Sequence, residues 1–320
     1  MNILIIGFGS IGQRHLQNLL KKHPINNYYV LKKSNHNNIL IDCELISGKI
    51  NEFYPEVEFV TDIEALSSIH AAFICNNTNE HMFYALNLAK KGVHLFIEKP
   101  LSHNIEGYSE LESIVRDKSI VLMVGYQTKF HPVFHKIKKI IKKEKISFVN
   151  SRWLTYLPNF HPYEDYKKSY AGQKSLGGGV LLTLTHEIDM LNSLFSDLKL
   201  VNSISGNYSC LDIDADDYLL ANFKSNNVAV SLNLSFSQVK EERVLTINTC
   251  DKTIEADFIN NTVDVFMLEG EVINYKFKLK RNELFEKEID CFFENIAHKK
   301  NTINTIEESL ISMKLITQML

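Results

Sequence analysis

Residues 1–20 read MNILIIGFGSIGQRHLQNLL, and the change of pattern inside this stretch decides the fold class. Residues 2–6 (NILII) form a short β-branched run that stops at Gly7. Beyond it, Ile11, Leu16, Leu19 and Leu20 follow helical spacing. The pattern predicts strand, tight turn, helix. The turn itself, GFGSIG at 7–12, carries the GxGxxG spacing. Gly7 permits the tight turn, Gly9 lets backbone approach a pyrophosphate, and Gly12 lets helix pack on strand, so that a diphosphate meets N–H groups at the positive end of a helix. A glycine turn in an unliganded α/β fold can show the same letters. Placement directly after a strand and before a helix is what dinucleotide binding requires.

The rest of the chain extends this reading. YYVL (28–31), AAFIC (71–75), VHLFI (93–97) and VLMVG (121–125) are apolar strands, with a helical stretch at 80–91 between the second and third. Apolar strands separated by helices predict a doubly wound parallel (Rossmann) sheet of α/β class over residues 1–125, covered on both faces. From about 146 the texture becomes aromatic and β-branched with alternation (ISFVNSRWL, NVAVSLNLSFS, RVLTINT, TVDVFML, VINYKFKL), and helices are expected near 283–299 and 305–320. Residues 126–320 therefore read as a C-terminal α+β domain with a large, mostly antiparallel open sheet. A sheet with one bare apolar face predicts self-association, a homodimer or homotetramer through that sheet.

Composition narrows the partners. With 35 basic and 38 acidic residues the formal charge is −3, which gives no global field for nucleic acid or an anionic membrane surface. The lysines of KIKKIIKKEK (136–145) read as the solvated face of a helix with Ile137, Ile140 and Ile141. Five cysteines, at 43, 75, 210, 250 and 291, form no CxxC pair, so neither a disulfide framework nor a zinc knuckle is expected. No apolar run reaches membrane-span length and no basic leader precedes the first strand, which predicts a cytoplasmic protein. THEIDM begins like the zinc motif HExxH but has Met190 at the second histidine position, so no metal is expected.

At the end of the second strand an NAD enzyme needs a carboxylate for the ribose 2′-OH. This chain reads LKKS there, with Asp42 too far along. Lys32, Lys33 and Ser34 offer cations and a hydroxyl to a 2′-phosphate, favouring NADP over NAD.

GFGSIGQRH, NNTNEH (76–81), GVHLFIEKPLS (92–102), GYQTKFHP (125–132), GGGVLLTLTHEIDML (177–191) and the closing NELFEKEIDCFFENI together resemble the Gfo/Idh/MocA family of NAD(P)-dependent sugar and cyclitol oxidoreductases. The likeness runs almost end to end, and EKP at 98–100 is its most specific element. It implies that Phe8, Ser10, Ile11, Asn76, Asn77, Thr78, His81, Glu98, Lys99 and Gln127 join the loop glycines and Lys32, Lys33 and Ser34 around the cofactor. It also implies that Lys99 reaches the oxygen on the reacting carbon and that His186 is the acid/base group.

The chemistry suits both residues: oxidation of a carbinol needs a base for the hydroxyl proton, and a nearby cation stabilises developing alkoxide. Against this stands the commonest use of a lone histidine in an apolar segment, as a hydrogen-bonded core residue. Members of the family commonly carry an Asp four residues before this His. Here residues 182 and 183 are Leu and Thr, so the Lys, Asp and His trio is incomplete. Asp189, three residues on, can steady the imidazole or serve a structural ion pair. The three glycines before the segment are expected to let backbone approach nicotinamide and substrate.

The segment WLTYLPNFHPYEDYKKSYAGQKS (153–175) is polar and rich in tyrosine, and reads as substrate lining. Tyr126, Trp153, Tyr163, Tyr166, Lys167, Thr183 and His186 are the candidates, with Lys168 and Lys174 as further cations. This segment is similar to that of a subgroup associated with bacterial surface-glycan sugars, which implies a phosphorylated or nucleotide-activated sugar. Two alternatives stay open: NAD-assisted glycoside hydrolysis on the same fold, and a non-catalytic dinucleotide-binding sensor or assembly subunit.

Overall fold

A computed structural model describes residues 1–24, 26–32, 39–41, 44–280 and 282–320. The chain divides into two compact units, residues 1–125 with 285–310, and residues 126–284 with 311–320.

In the first unit β1 (Asn2–Ile6), α1 (Ser10–Lys22) and β2 (Asn27–Leu31) follow the strand-turn-helix pattern. A small hairpin, β3 (Ile39–Ile41) and β4 (Glu44–Ile46), and the single turn α2 (Ile50–Phe53) lead to β5 (Val57–Val60). Then come β6 (Ala71–Ile74), α3 (Thr78–Lys90), β7 (His94–Ile97), α4 (Tyr108–Asp117) and β8 (Leu122–Val124). Six strands pair in parallel in the order β5-β2-β1-β6-β7-β8. The order reverses at the β1/β6 boundary, the crevice where open parallel sheets bind ligands.

The second unit contains α5 (Pro132–Ile141), β9 (Ile146–Tyr156), α6 (Val180–Thr183), α7 (His186–Leu194), β10 (Lys199–Gly206), β11 (Tyr218–Ser225), β12 (Val228–Ser235), β13 (Ser237–Thr249), β14 (Lys252–Asp257), β15 (Thr262–Met267) and β16 (Val272–Lys276). Its eight-stranded sheet runs β10-β11-β12-β9-β13-β14-β15-β16, antiparallel except for the β12/β9 pair. Alternation is clean. Val149, Val230, Leu232, Leu219, Leu245 and Ile247 are buried on one face, whereas the open face carries Asn150, Ser231, Asn233, Asn222 and Thr246. The bare face mixes amide and hydroxyl groups with exposed Phe148, Ile204 and Phe266: Ser231 bonds Asn150, and Asn222 donates to Asn202 at 2.9 Å.

Of the closing helices, α8 (Glu283–His298) belongs from Phe285 onward to the first unit, not to the 126–320 domain the sequence suggested, and α9 (Ile306–Met319) has its first turn there. The reason is aromatic. Phe73 of β6 and Phe96 of β7 stack at 4.9 Å, and Phe292 meets both edge-on at 5.5 and 5.8 Å. Phe285 packs edge-on against His15 of α1, and each such pair adds roughly 0.5–1.5 kcal/mol beyond its buried area.

The same helix buries Glu288 completely, and neither carboxylate oxygen has a hydrogen-bond partner. Burial, with the charge of Glu98 nearby, pushes its carboxyl well above the usual range. Glu288 thus holds its proton to higher pH in the folded chain than in the unfolded one. Its effect on stability falls as pH rises above the ordinary carboxyl range, by up to about 1.4 kcal/mol per pH unit. The Glu288→Gln variant, which mimics the protonated acid, should therefore gain melting temperature over the parent at pH 8 but not at pH 4.5. Thermal melts of both proteins across that range check this, and parallel curves would contradict it.

Candidate active site

In the first unit the phosphate loop is shaped by backbone contacts only glycine permits. A Cβ on Gly12 would lie 2.1 Å from the Gly7 carbonyl oxygen, and one on Gly7 would lie 2.8 Å from the Asn76 backbone. Gly7 also has φ +94°, a left-handed conformation. Gly9 differs, because a Cβ there would meet nothing within 4 Å. It caps α1 without a side-chain hydrogen bond, so the open space above Gly9 adjoins the N–H groups of Ser10, Ile11 and Gly12. This cradle fits a dinucleotide pyrophosphate. Phe8 leans away, packing edge-on against Tyr54 and Phe59, so the residue contributes backbone.

Asn76, Asn77 and Thr78 follow β6 at the start of α3. The Asn76 side-chain amide donates to Glu80 at 2.9 Å while its carbonyl oxygen is buried without a donor, an acceptor available beside the loop. His81 is 2% exposed, and its ring nitrogens meet the carbonyl oxygens of Pro100 (2.9 Å) and Asn76 (3.0 Å). Both ring nitrogens are engaged with backbone, so His81 braces the EKP turn rather than presenting itself to a cofactor.

Glu98 likewise supports the turn. His15 of α1 donates to its Oε1 at 2.7 Å, and the Lys99 backbone N–H donates to Oε2 at 3.2 Å. Burial raises its carboxyl, but the hydrogen bond and charge of His15, then Lys99, outweigh that and hold it below the usual range. The Lys99 side chain is half-buried on this fixed turn.

Lys32 closes β2 beside an open cleft lined by Lys49, Asn51, Glu52 and Phe59, and partial burial lowers its ammonium. Lys33, Ser34 and Asp42 lie outside the described residues.

In the second unit the glycine stretch departs from expectation. Cβ atoms on Gly178 and Gly179 would lie 2.0 Å from the Tyr170 carbonyl and 2.1 Å from Asp216 Oδ1. These two glycines are required by the chain's own packing, whatever approaches them. The segment is also not one helix: α6 ends at Thr183 and α7 starts at His186. Thr183 therefore does not occupy the same helix one turn before His186.

His186 is 4% exposed. Tyr126, itself 1% exposed, stands edge-on to it at 5.8 Å and pairs its hydroxyl with Thr185 at 3.4 Å. Trp153 lies 6.2 Å away on β9. Asp189 does not act alone: Lys129, 5% exposed, is 3.2 Å from its Oδ1 in a buried ion pair. The sequence reading missed Lys129, Thr185, Glu187 and Arg243. Glu187 binds Arg243 at 2.7 Å and accepts from Ser151 at 3.0 Å. Only buried charge beside an apolar run hinted at Lys129 and Glu187, and nothing in RVLTINT marked Arg243. Gln127 opens a single 3-10 turn next to Tyr126 and is half-buried.

The 153–175 segment is brought together only in part. Tyr163 meets His161 at 2.9 Å, and Tyr166 lines a shallow cleft with Leu157, Phe160, His161 and Tyr170. Lys167 is tied at the surface to Asp212 at 2.9 Å, which raises its ammonium, so it points to an acid of this chain.

The two kinds of loop glycine predict opposite failures. Gly9→Val should keep the parent's melting temperature and lose dinucleotide binding. Gly12→Val should unfold, at a cost of about 4 kcal/mol or more. Calorimetry and thermal melts on both variants check this, and undiminished dinucleotide affinity in folded Gly9→Val would refute the cradle.

Residues 1–126 match the model of an oxidoreductase family with an NAD-binding Rossmann fold, GFO_IDH_MocA. The uncharacterized oxidoreductase YrbE of Bacillus subtilis is 28% identical over 193 residues, 58% of this chain and 51% of that protein. The chain thus spans about half the length of that curated relative. Two solved structures share the fold. UDP-N-acetylglucosamine 3-dehydrogenase from Acidithiobacillus ferrooxidans aligns with TM-score 0.77 at 19% identity, covering 100% of this chain and 96% of that one. The 3-ketoreductase KijD10 from Actinomadura kijaniata, in an open conformation with TDP-benzene and NADP, aligns with TM-score 0.79 at 15% identity, covering 100% and 96%. Residues 1–126 are thus similar to the NAD-binding Rossmann domain of the Gfo/Idh/MocA oxidoreductases, and the whole chain shares the fold of the two solved structures.

Proposed function

We propose that the protein is an NAD(P)-dependent oxidoreductase acting on a carbinol or ketone carbon of a sugar, phosphorylated or nucleotide-activated, as in surface-glycan synthesis. The observation that carries the reading is that one chain holds both a glycine cradle open at Gly9 and an imidazole, His186, set between two aromatic rings. The nicotinamide, when bound, exchanges hydride with the sugar carbon. His186 takes the hydroxyl proton in oxidation and returns it in reduction. Lys99 stabilises negative charge on the same oxygen. Tyr126 and Trp153 border the imidazole and complete the lining of the sugar site in this reading.

NADP is the preferred cofactor in this reading, supported by Lys32 at the cleft that ends β2 and by the absence of a carboxylate at residues 31–34. The relatives' names support a nucleotide-linked sugar, since one acts on UDP-N-acetylglucosamine and another was crystallised with TDP-benzene. Copies of the chain pair through the open face of the eight-stranded sheet, where Phe148, Ile204 and Phe266 are exposed, in a reducing, cytoplasmic setting suited to the free thiols of Cys75, Cys210, Cys250 and Cys291. Among the described residues no helix is long and apolar enough to cross a membrane. A second reading, a dinucleotide-binding subunit without turnover, is favoured by Leu182 and Thr183 before His186, neither of which supplies the carboxylate that family members commonly carry there.

His186→Ala should lower turnover roughly 10²–10⁴-fold while leaving cofactor affinity unchanged. A turnover loss explained wholly by unfolding would make His186 a core residue, and binding without turnover across a wide panel of sugar nucleotides would favour the second reading. The dissociation constant for NADP should lie below that for NAD, with the gap closing in the Lys32→Ala/Lys33→Ala variant. Light scattering at micromolar concentration should give a dimer or tetramer, and a monomer would refute the pairing.

A further inference from the structure

Arg243 of β13 faces the inner side of the sheet, in the same register as Leu245 and Ile247 and directly across from Trp153 of β9. An arginine on that face is costly, and the structure offsets the cost with an ion pair, a hydroxyl acceptor and two aromatic rings. Its Nε donates to Glu187 Oε1 at 2.7 Å and its Nη2 donates to Thr128 Oγ1 at 2.9 Å. The flat guanidinium lies 4.1 Å from the centre of the Trp153 ring and 5.0 Å from that of Phe258. Glu187, with its side chain 1% exposed, immediately follows His186 at the start of α7. Buried ion pairs of this kind are rarely worth more to stability than apolar side chains of the same volume, so their value lies in fixed geometry.

That geometry links the two residues flanking a ligand. Trp153 lies beside His186 with an interplanar angle of 32°, and its indole N–H is buried without an acceptor. We propose that Arg243 is a positioning residue. By stacking on Trp153 and pairing with Glu187, it locks the indole against His186, so that the indole N–H donates to an oxygen of the bound sugar. The ligand half of this inference rests on the sugar oxidoreductase reading; the clamp itself does not.

Trp153 is the chain's single tryptophan, so intrinsic fluorescence reports it alone. In the full-length protein without cofactor or sugar, Arg243→Met should red-shift the emission and raise acrylamide quenching severalfold. Arg243→Lys, which keeps the charge and loses the planar fork, should fall between. Emission and quenching that match the parent in either folded variant would overturn the clamp, whatever the enzyme's substrate. With a sugar nucleotide that is turned over, Trp153→Phe, which keeps a ring and loses the N–H, should raise KM roughly 5–10-fold, the worth of one hydrogen bond, with little change in kcat. An unchanged KM in Trp153→Phe would overturn the donor role, and a loss of kcat alone would overturn it equally. Should Arg243→Met fail to fold, Arg243→Lys and Thr128→Val carry the fluorescence test, with Thr128→Val expected to increase quenching more modestly.

Discussion

The first unit depends on how closely three pieces of backbone approach one another. The turn after β1, the start of α1 and the segment after β6 meet where Gly12 abuts the Gly7 carbonyl and Gly7 abuts Asn76. No side chain fits between them. Because α1 begins so close to the sheet, its free N–H groups open at the β1/β6 switch point, and its next turn brings His15 to Glu98 at 2.7 Å. The turn carrying Lys99 is therefore held by the helix that forms the phosphate cradle, and His81 braces it from α3. A binding loop and a candidate catalytic lysine share one rigid support.

The second unit solves a different problem, that of placing a polar group in an apolar layer. His186 begins α7 over the inner face of the sheet, and two ion pairs anchor that helix: Lys129 with Asp189, and Arg243 with Glu187. Both pairs are buried, where desolvation offsets most of their Coulomb attraction. Their effect is to fix the helix in rotation and depth. Trp153 and Tyr126 then meet the imidazole from defined angles.

Much of this was legible in the sequence where the signal is local. The GxGxxG spacing, the apolar strands and the alternation of the second half each reflect a periodicity that neighbouring residues impose on one another. What was illegible arises from contacts far apart in the chain. The phenylalanines of α8 gave no sign that they would pack on Phe73 and Phe96. The parallel β12/β9 pair inside an antiparallel sheet has no turn to announce it. That Tyr170 and Asp216 leave room only for glycine at 178 and 179 is invisible in the local sequence. The break between Thr183 and His186 was hidden by a continuous apolar pattern. Arg243 sits in an ordinary strand, and only its cross-strand register with Trp153 gives it meaning.

Hydride exchange on a sugar carbon is the central claim, and isotopic transfer tests it most directly. The protein would be incubated with a cofactor deuterated at the transferring position of nicotinamide and with keto-sugar nucleotides, and the products examined by NMR and mass spectrometry. The account predicts one deuterium at a single new carbinol carbon, with one cofactor oxidised per sugar reduced. Tight cofactor binding with no label in any sugar, or loss of the nucleotide or glycosidic bond with the cofactor returned unchanged, would contradict it.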